Sequence, residues 1–422
     1  MSNYLERLID IRITEAMKYV GCIVIEGPKW CGKSTTSKRF AKTVVELQNP
    51  NKCKTYMMYA DMGDKALLDG AKPLMFDEWQ KIPDLWDYIR AEIDETRGKG
   101  SFILTGSAKP IENSGRHSGI GRIKRIVMRP MSLWESKESN GTISVGDLFK
   151  NGYSCGSRDS KSLKDIAYIL CRGGWPQAIV ETDKSIALNA AKDYVSSLVE
   201  TDITDIDGIK RNAARARAIL RSYARNVSAS AKIQTLQKDL EANYVACDLR
   251  TIESYINAFK KLFVIDDVEA WSPRLRSKAM LRTADTRQFV DPSIVATLLD
   301  ANAEDLMSDL NTFGLLFESM CVRDLRIYAD SIDGKVFNFR DSRGLEIDTI
   351  IHLNNGKWAA IEIKLGGEEA IEGGVKNLLK LQEVVDTEKM KAPSFLMVLV
   401  ATGFAHQRPD GVLVVPIGCL KN

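Results

Sequence analysis

At 422 residues the chain is too long for one hydrophobic core, and its 44% hydrophobic and 27% charged content is that of a folded globular protein. The 59 basic and 56 acidic residues leave a formal net charge of only +3, which argues against a globally basic nucleic-acid coat and leaves local clusters as the source of any such surface. Three histidines (His117, His352 and His406) argue against a histidine-built metal centre, and eight scattered cysteines without a CxxC pair argue against a disulfide framework or zinc site. No apolar run nears the roughly 20 residues of a membrane span. The start, Met-Ser-Asn-Tyr-Leu-Glu-Arg, has no signal-peptide pattern, so a reduced, cytoplasmic protein with no membrane partner is expected.

The first informative element is the apolar run Ile23-Val-Ile-Glu26, which leads into Gly27-Pro28-Lys29-Trp30-Cys31-Gly32-Lys33-Ser34-Thr35. A helix-like segment follows through Phe40. A Gly-x-x-x-x-Gly-Lys-Ser loop between a buried strand and a helix is a P-loop. Its glycines let backbone N–H groups wrap phosphates without a Cβ in the way, and the helix N-terminus adds a favourable dipole. Residues 27–35 are therefore expected to hold ATP. Lys33 would reach the β- and γ-phosphates, and the Ser34 hydroxyl would bind Mg²⁺.

Thr55-Tyr-Met-Met-Tyr-Ala60 reads as a second strand. Pro73-Leu-Met-Phe-Asp77-Glu78 is an apolar run ending in two carboxylates, 44 residues beyond Lys33 (77 − 33), which is the Walker B pattern. Asp77 would hold the Mg²⁺ shell and Glu78 would orient the attacking water, because metal and nucleophile occupy different positions. Ile82–Ile93 reads as a helix with Pro83 in its first turn. Ser101–Ser107 reads as a buried strand whose Thr105 or Ser107 would sense the γ-phosphate; the same hydroxyls also suit a helix cap or turn. Arg116 and Arg122 flank a Gly-rich loop. Arg122, next to the following strand, suits an arginine finger reaching a neighbouring subunit's phosphate, or simply a solvated basic loop.

The segments Gly-Pro-Lys-Trp-Cys-Gly-Lys-Ser, Phe-Asp-Glu-Trp-Gln, Leu-Thr-Gly-Ser and Gly-Arg before Met-Arg-Pro-Met-Ser-Leu, with Gly173-Gly174-Trp175-Pro176 beyond them, resemble those of the AAA-type ATPases of bacteria and archaea that carry a C-terminal domain of unknown function. The resemblance spans nearly the whole chain. It implies ATP and Mg²⁺ as cofactors and, if Arg122 acts in trans, a homo-oligomer such as a ring.

Residues 140–165 are rich in Ser, Gly and Asn and read as a linker; helical periodicity at 163–170 and 185–200 suits a small lid over the nucleotide. The acid-free stretch from Lys210 to Arg225 carries Arg211, Arg215, Arg217, Arg221 and Arg225, the last three on one helical stripe. Short helices over 232–240 and 249–262, then a strand over Phe263–Trp271, complete a winged helix-turn-helix pattern. It would place Arg250, Asn257, Lys260 or Lys261 near a DNA groove. A structural bundle or protein-docking module fits the same pattern, and the basic stripe equally suits pairing with acids elsewhere.

Asn311–Tyr328 reads as a long helix and Lys335–Arg340 as a strand. Strands 344–353 and 357–365 flank Asn354-Asn355-Gly356, a three-residue turn whose last residue is left-handed. Counting back from that turn sets Asp348 opposite Glu362, with Lys364 on the same face. Asp348, Glu362 and Lys364 together resemble the restriction-endonuclease-like fold, which implies a further Glu from the preceding helix, here Glu318. Asp348, Glu362 and Glu318 would then ligate Mg²⁺, and Lys364 would position water or stabilise phosphorane charge. Ile347 stands where that fold often has proline, and such domains also persist as DNA-binding or docking modules.

The expected architecture is α/β. An AAA-type P-loop core would cover 1–140, a helical lid or linker 141–205, a winged helix 206–290, and a restriction-endonuclease-like α/β domain 291–422. The expected activity is Mg²⁺-dependent ATP hydrolysis coupled to DNA. An ATP-switched scaffold and a protein-remodelling ATPase remain alternatives.

Overall fold

The computed structural model describes residues 4–107, 119–153, 156–206, 208–243, 246–272, 285–385 and 390–422. Arg116 and His117 lie outside them. The chain divides into two compact units, Met1–Pro130 with Lys261–Phe263, and Met131–Lys260 with Val264–Asn422.

The first unit runs α1 (Ile9–Ala16), β1 (Cys22–Glu26), α2 (Lys33–Lys38), β2 (Thr43–Glu46), α3 (Pro50–Met62), β3 (Leu74–Asp77), α4 (Leu85–Thr96), β4 (Phe102–Gly106) and β5 (Ile123–Val127). Its strands form a parallel sheet in the order β2-β3-β4-β1-β5. Strands β1, β3 and β4 are buried along their whole length, as continuous apolar runs in a parallel sheet require. Parallel pairing aligns their carboxyl ends, so the residues after β1, β3 and β4 meet at one edge of the sheet.

The stretch Thr55–Ala60 is helical, not a strand, and the second strand is Thr43-Val-Val-Glu46 instead. End chemistry decides this. Asn49 accepts from the backbone N–H groups of Asn51 and Lys52, Pro50 occupies the first turn, and Gly63 closes the helix at φ 64°. Only Ala60 of α3 is fully buried, while Met57, Met58 and Met62 are exposed. The apolar side chains therefore gave a misleading core signal.

The second unit continues with β6 (Ile143–Ser144), α5 (Val145–Lys150), β7 (Ser157–Asp159), α6 (Leu163–Arg172), α7 (Pro176–Val180), α8 (Lys184–Ala187), α9 (Asn189–Ser197), α10 (Ile203–Asp205), α11 (Ala213–Arg225), α12 (Ile233–Asn243), α13 (Leu249–Lys261), α14 (Pro292–Leu298), α15 (Ala303–Ser308) and α16 (Leu310–Ser331). Then come β8 (Gly334–Arg340), β9 (Glu346–Leu353), β10 (Trp358–Lys364), α17 (Glu368–Val384), β11 (Leu396–Val400), β12 (Gly403–Gln407), β13 (Leu413–Pro416) and β14 (Leu420–Lys421). Among the described residues, seven strands form a mixed sheet, β7-β12-β13-β11-β10-β9-β8. Strands β8, β9 and β10 pair antiparallel, and β10, β11 and β13 pair parallel. Trp271, Ile350, Trp358, Leu378 and Val398 lie in its core.

The stretch expected as a linker is built into this unit. Strand β7 pairs with β12, β6 pairs with β14, and Ser139 Oγ donates to the carbonyl oxygens of Gly418 and Leu420. The helices expected as a lid pack inside the same unit, with α6 and α9 against α14.

A buried charge network ties distant segments of the second unit together. Arg323 donates to Asp291 at 2.8 Å and to Asp324 at 2.9 Å, and all three are almost wholly buried. Asp291 accepts from the Gly174 N–H, Asp324 accepts from the Leu133 N–H, and the Met131 N–H donates to the Gly174 carbonyl. A Cβ on Gly174 would lie 2.2 Å from that Met131 oxygen, and one on Gly173 2.4 Å from Ser293 Oγ, so the glycine pair is a packing requirement. Burial pushes Asp324 up to about 6 while Arg323 opposes the shift. Arg323→Met leaves two buried carboxylates without their cation, a loss of about 3–5 kcal/mol. Thermal denaturation followed by circular dichroism should show a transition lowered by several degrees; an unchanged transition would mean the network adds nothing to stability.

Candidate functional site

Gly27 ends β1 at φ 155°, and a Cβ there would lie 2.1 Å from the Met128 carbonyl oxygen. No other residue lets the loop pass β5 this closely. Gly32, at φ 101°, starts α2. Between them Pro28 and Cys31 are buried, whereas Lys29 and Trp30 are exposed, as is Thr35 beyond Ser34. The Lys33 side chain is buried and folds back so that Nζ donates to the carbonyl oxygens of Gly27 (3.0 Å) and Pro28 (2.7 Å). An ammonium caged by its own loop stands at the mouth of a ring of backbone groups.

Asp77 ends β3 almost fully buried and collects three donors. Ser34 Oγ donates to Oδ1 at 2.7 Å, Thr105 Oγ1 to the same oxygen, and Gln48 Nε2 to Oδ2 at 2.8 Å. The parallel register explains the convergence, because Asp77 pairs with Glu46 on one side and Thr105 on the other. Gln48, just beyond β2, was missed from the sequence because Thr43–Glu46 was not read as a strand. Glu78 breaks the strand at φ 57° and turns its carboxylate toward Ser107 Oγ (3.1 Å) and Gln80 Nε2. The structure therefore brings Lys33, Ser34, Asp77, Glu78, Thr105 and Ser107 to one edge of the sheet.

Arg122 is not part of this group. It precedes β5, level with the start of β1, about 16 Å along the strands from the loop at roughly 3.3 Å per residue. Its guanidinium pairs with Asp94 and with the Ile120 carbonyl.

A second cluster lies in the other unit. The β9–β10 register, running from Trp358↔His352 to Ile361↔Thr349, continues to place Asp348 opposite Glu362, and Gly356 closes the turn at φ 80°. Lys364 Nζ reaches Asp348 Oδ2 at 3.2 Å and Glu362 Oε2 at 2.6 Å. Asp348 Oδ2 also accepts from the Ile363 N–H at 2.7 Å, and Asn377 Nδ2 on α17 donates to Glu362 Oε1 at 3.4 Å. Burial pushes Glu362 up to about 8, with the Asp348 charge adding to it and Lys364 opposing. Burial would lower Lys364, but Asp348 and Glu362 outweigh it and raise it above the usual lysine range. Glu318 on α16 is raised well above the usual carboxylate range by burial and by the Asp348 charge. Among the described residues no three or more His, Cys, Asp or Glu side chains converge closely enough to hold a metal ion. Glu318 is thus not brought into a metal-binding group with Asp348 and Glu362, contrary to the expected ligand set.

The basic stripe is partly neutralised. Arg221 pairs with Asp300 at 3.0 Å, Arg225 with Asp239 at 2.9 Å, and Arg211 is buried against Ser254. Arg250, Asn257, Arg215 and Arg217 remain exposed, while Lys260 pairs with Asp267 at 2.8 Å. After α13, antiparallel bridges join Ile265 to Phe289 and Val268 to Thr286.

Residues 20–137 match the AAA domain family. The chain therefore carries an AAA-type P-loop domain. Residues 163–305 match a domain of unknown function, DUF8612, and residues 313–420 match another, DUF4143. Uncharacterised proteins of Mycobacterium bovis and Mycobacterium tuberculosis are each 21% identical over 378 residues, which spans 87% of this chain and 76% of the relative. A Walker-type ATPase of Pyrococcus abyssi is similar at a TM-score of 0.41 and 13% identity, over 70% of this chain and 96% of that one. Among the described residues no helix is long and apolar enough to cross a membrane.

Proposed function

We propose that the AAA domain hydrolyses ATP with Mg²⁺. The observation that carries this reading is the 2.7 Å bond between Ser34 Oγ and the buried Asp77 carboxylate, with Thr105 on the same oxygen. Two hard oxygen donors at the rim of a phosphate loop suit a small divalent cation that keeps most of its waters. When bound, Mg²⁺ offsets charge on the β- and γ-phosphate oxygens. Lys33, released from the Gly27 and Pro28 carbonyls, pairs with the same phosphates, and the loop N–H groups fix them in line. Glu78 stands one residue beyond Asp77, on the side of Ser107, and takes a proton from or orients the attacking water. Thr105 and Ser107 place hydroxyls where loss of the γ-phosphate alters hydrogen bonding. Arg122, far along the sheet from its own loop, suits a contact with a second copy of the chain, and this makes a homo-oligomer part of the proposal.

A second reading concerns the other unit. The sequence α16-β8-β9-β10-α17-β11, with two carboxylates and a lysine in mutual contact on β9 and β10, supports a restriction-endonuclease-like domain. Asp348 and Glu362 would hold one Mg²⁺, which would supply charge neutralisation at a phosphodiester. Lys364 would stabilise phosphorane charge once displaced from the carboxylates. Three helices followed by bridged strands support a winged helix, and exposed Arg250 and Asn257 on α13 offer groups for DNA. The neutralised part of the basic stripe favours the alternative for those residues, a structural role. An ATP-switched scaffold or a protein-remodelling ATPase keeps the first site and dispenses with the second.

Lys33→Ala should lower ATP turnover at least ~100-fold in a phosphate-release assay, since a preorganised cation is lost from the transition state; normal turnover would refute the P-loop assignment. Glu78→Gln should retain nucleotide in equilibrium binding while hydrolysis falls roughly 10²–10⁴-fold. Failure of that variant to bind would give Glu78 a structural role instead. Lys364→Ala should stop Mg²⁺-dependent cleavage of DNA and leave ATP turnover intact. Wild-type protein that cuts no DNA, or cleavage that survives the substitution, would remove the second reading.

A further inference from the structure

We infer that Gln80 is a positioning residue that sets the orientation of the Glu78 carboxylate for attack on the γ-phosphate. The inference rests on the ATP-hydrolysis reading of the first site and assigns the part that holds its base.

Glu78 leaves β3 in a left-handed conformation, and a short 3₁₀ turn, Trp79–Lys81, follows at once. That turn brings the Gln80 side chain back over Glu78, two residues away, where Nε2 donates to Oε2. Ser107 Oγ, from the end of β4, donates to the same oxygen at 3.1 Å. An ionised carboxylate only accepts, so the amide must present its nitrogen to Glu78. Both donors thus occupy Oε2, and Oε1 is the oxygen left to face a water.

The surroundings fix Gln80 itself. Trp79 is buried in the core and lies against Trp86 with ring centroids 5.5 Å apart, which anchors the turn. Gly106 leaves room for the amide, because a Cβ there would come within 2.9 Å of Gln80 Oε1 and 3.3 Å of Trp79 Nε1. Gln80 Oε1 is buried with no hydrogen-bond partner among the described residues. A displacement of about 1 Å in a catalytic group costs as much as 10²-fold in rate. A residue that removes such freedom from Glu78 therefore acts on turnover, not on nucleotide affinity.

Gln80→Met keeps the shape of the side chain and removes the donor. In the full-length protein, ATP turnover should fall about 10- to 100-fold, while the dissociation constant of a fluorescent ATP analogue stays at the wild-type value. Ser107→Ala, which removes the other donor to the same oxygen, should likewise lower turnover without weakening binding of that analogue and serves where Gln80→Met fails to fold. Unchanged turnover, or a fall in turnover together with nucleotide affinity, would overturn the assignment. Wild-type protein without ATP turnover would instead remove the reading beneath it, a result separable from a wild-type-like Gln80→Met.

Discussion

A single buried carboxylate, Asp77, governs the geometry of the AAA domain. An ionised group taken out of water costs several kcal/mol unless its lone pairs are met. Asp77 meets them with Ser34, Thr105 and Gln48, which come from the starts or ends of three different elements. None of these donors is adjacent to Asp77 in the chain. Only a parallel sheet that aligns the carboxyl ends of β1, β3 and β4 can deliver them together. The same alignment places Gly27, just past β1, at the sheet edge where Asp77 ends β3, with β4 between the two strands. The phosphate loop and the acidic strand end are thus two products of one register.

The division of labour between Asp77 and Glu78 also follows from backbone geometry. In a regular strand, successive side chains point to opposite faces of the sheet, and the next residue would continue that alternation. Glu78 adopts a left-handed conformation instead, which ends the ladder and swings its carboxylate to the β4 side. Two neighbouring acids therefore reach different sets of donors, Asp77 toward α2 and Glu78 toward Ser107. A non-glycine residue in that conformation pays a strain cost that the surrounding contacts must cover. Trp79, packed in the core one residue later, supplies such contacts.

Where chemistry lies in consecutive residues, the sequence was legible. The P-loop and the acidic end of β3 could be placed because their spacing is local, and the β9–β10 register could be counted from a turn whose glycine is left-handed. Legibility failed where long-range pairing decided the outcome. The residues Ser157–Asp159 look like any polar loop, yet they pair with β12 some 245 residues later, as Gly403 opposite Asp159 shows (403 − 159 = 244). The Met- and Tyr-rich stretch of α3 is a short apolar run like that of a strand, but its Asn cap, first-turn proline and terminal glycine outweigh that pattern. Gln48 carries no motif at all, and only the β2–β3 pairing reveals its partner.

Helix α16 connects the buried charge network of the second unit to its acidic cluster. Glu318 and Asp324 are six residues apart, which is about 9 Å of helix at 1.5 Å per residue and about 120° of net rotation at 3.6 residues per turn. One side of the helix therefore carries Glu318 toward the potential of Asp348 and Glu362, and another carries Asp324 and Arg323 to Leu133 and Asp291. A buried ion network of this kind adds little net stability compared with a well-packed apolar core. What it does supply is definition: Arg323, Asp291 and Asp324 each meet more than one fixed partner, and rolling the helix by even a fraction of a turn would strand a buried charge. Since Glu318 lies on the same helix, the network that fixes Arg323 also fixes where Glu318 sits relative to Asp348 and Glu362, whose charges add to the burial that raises its carboxyl.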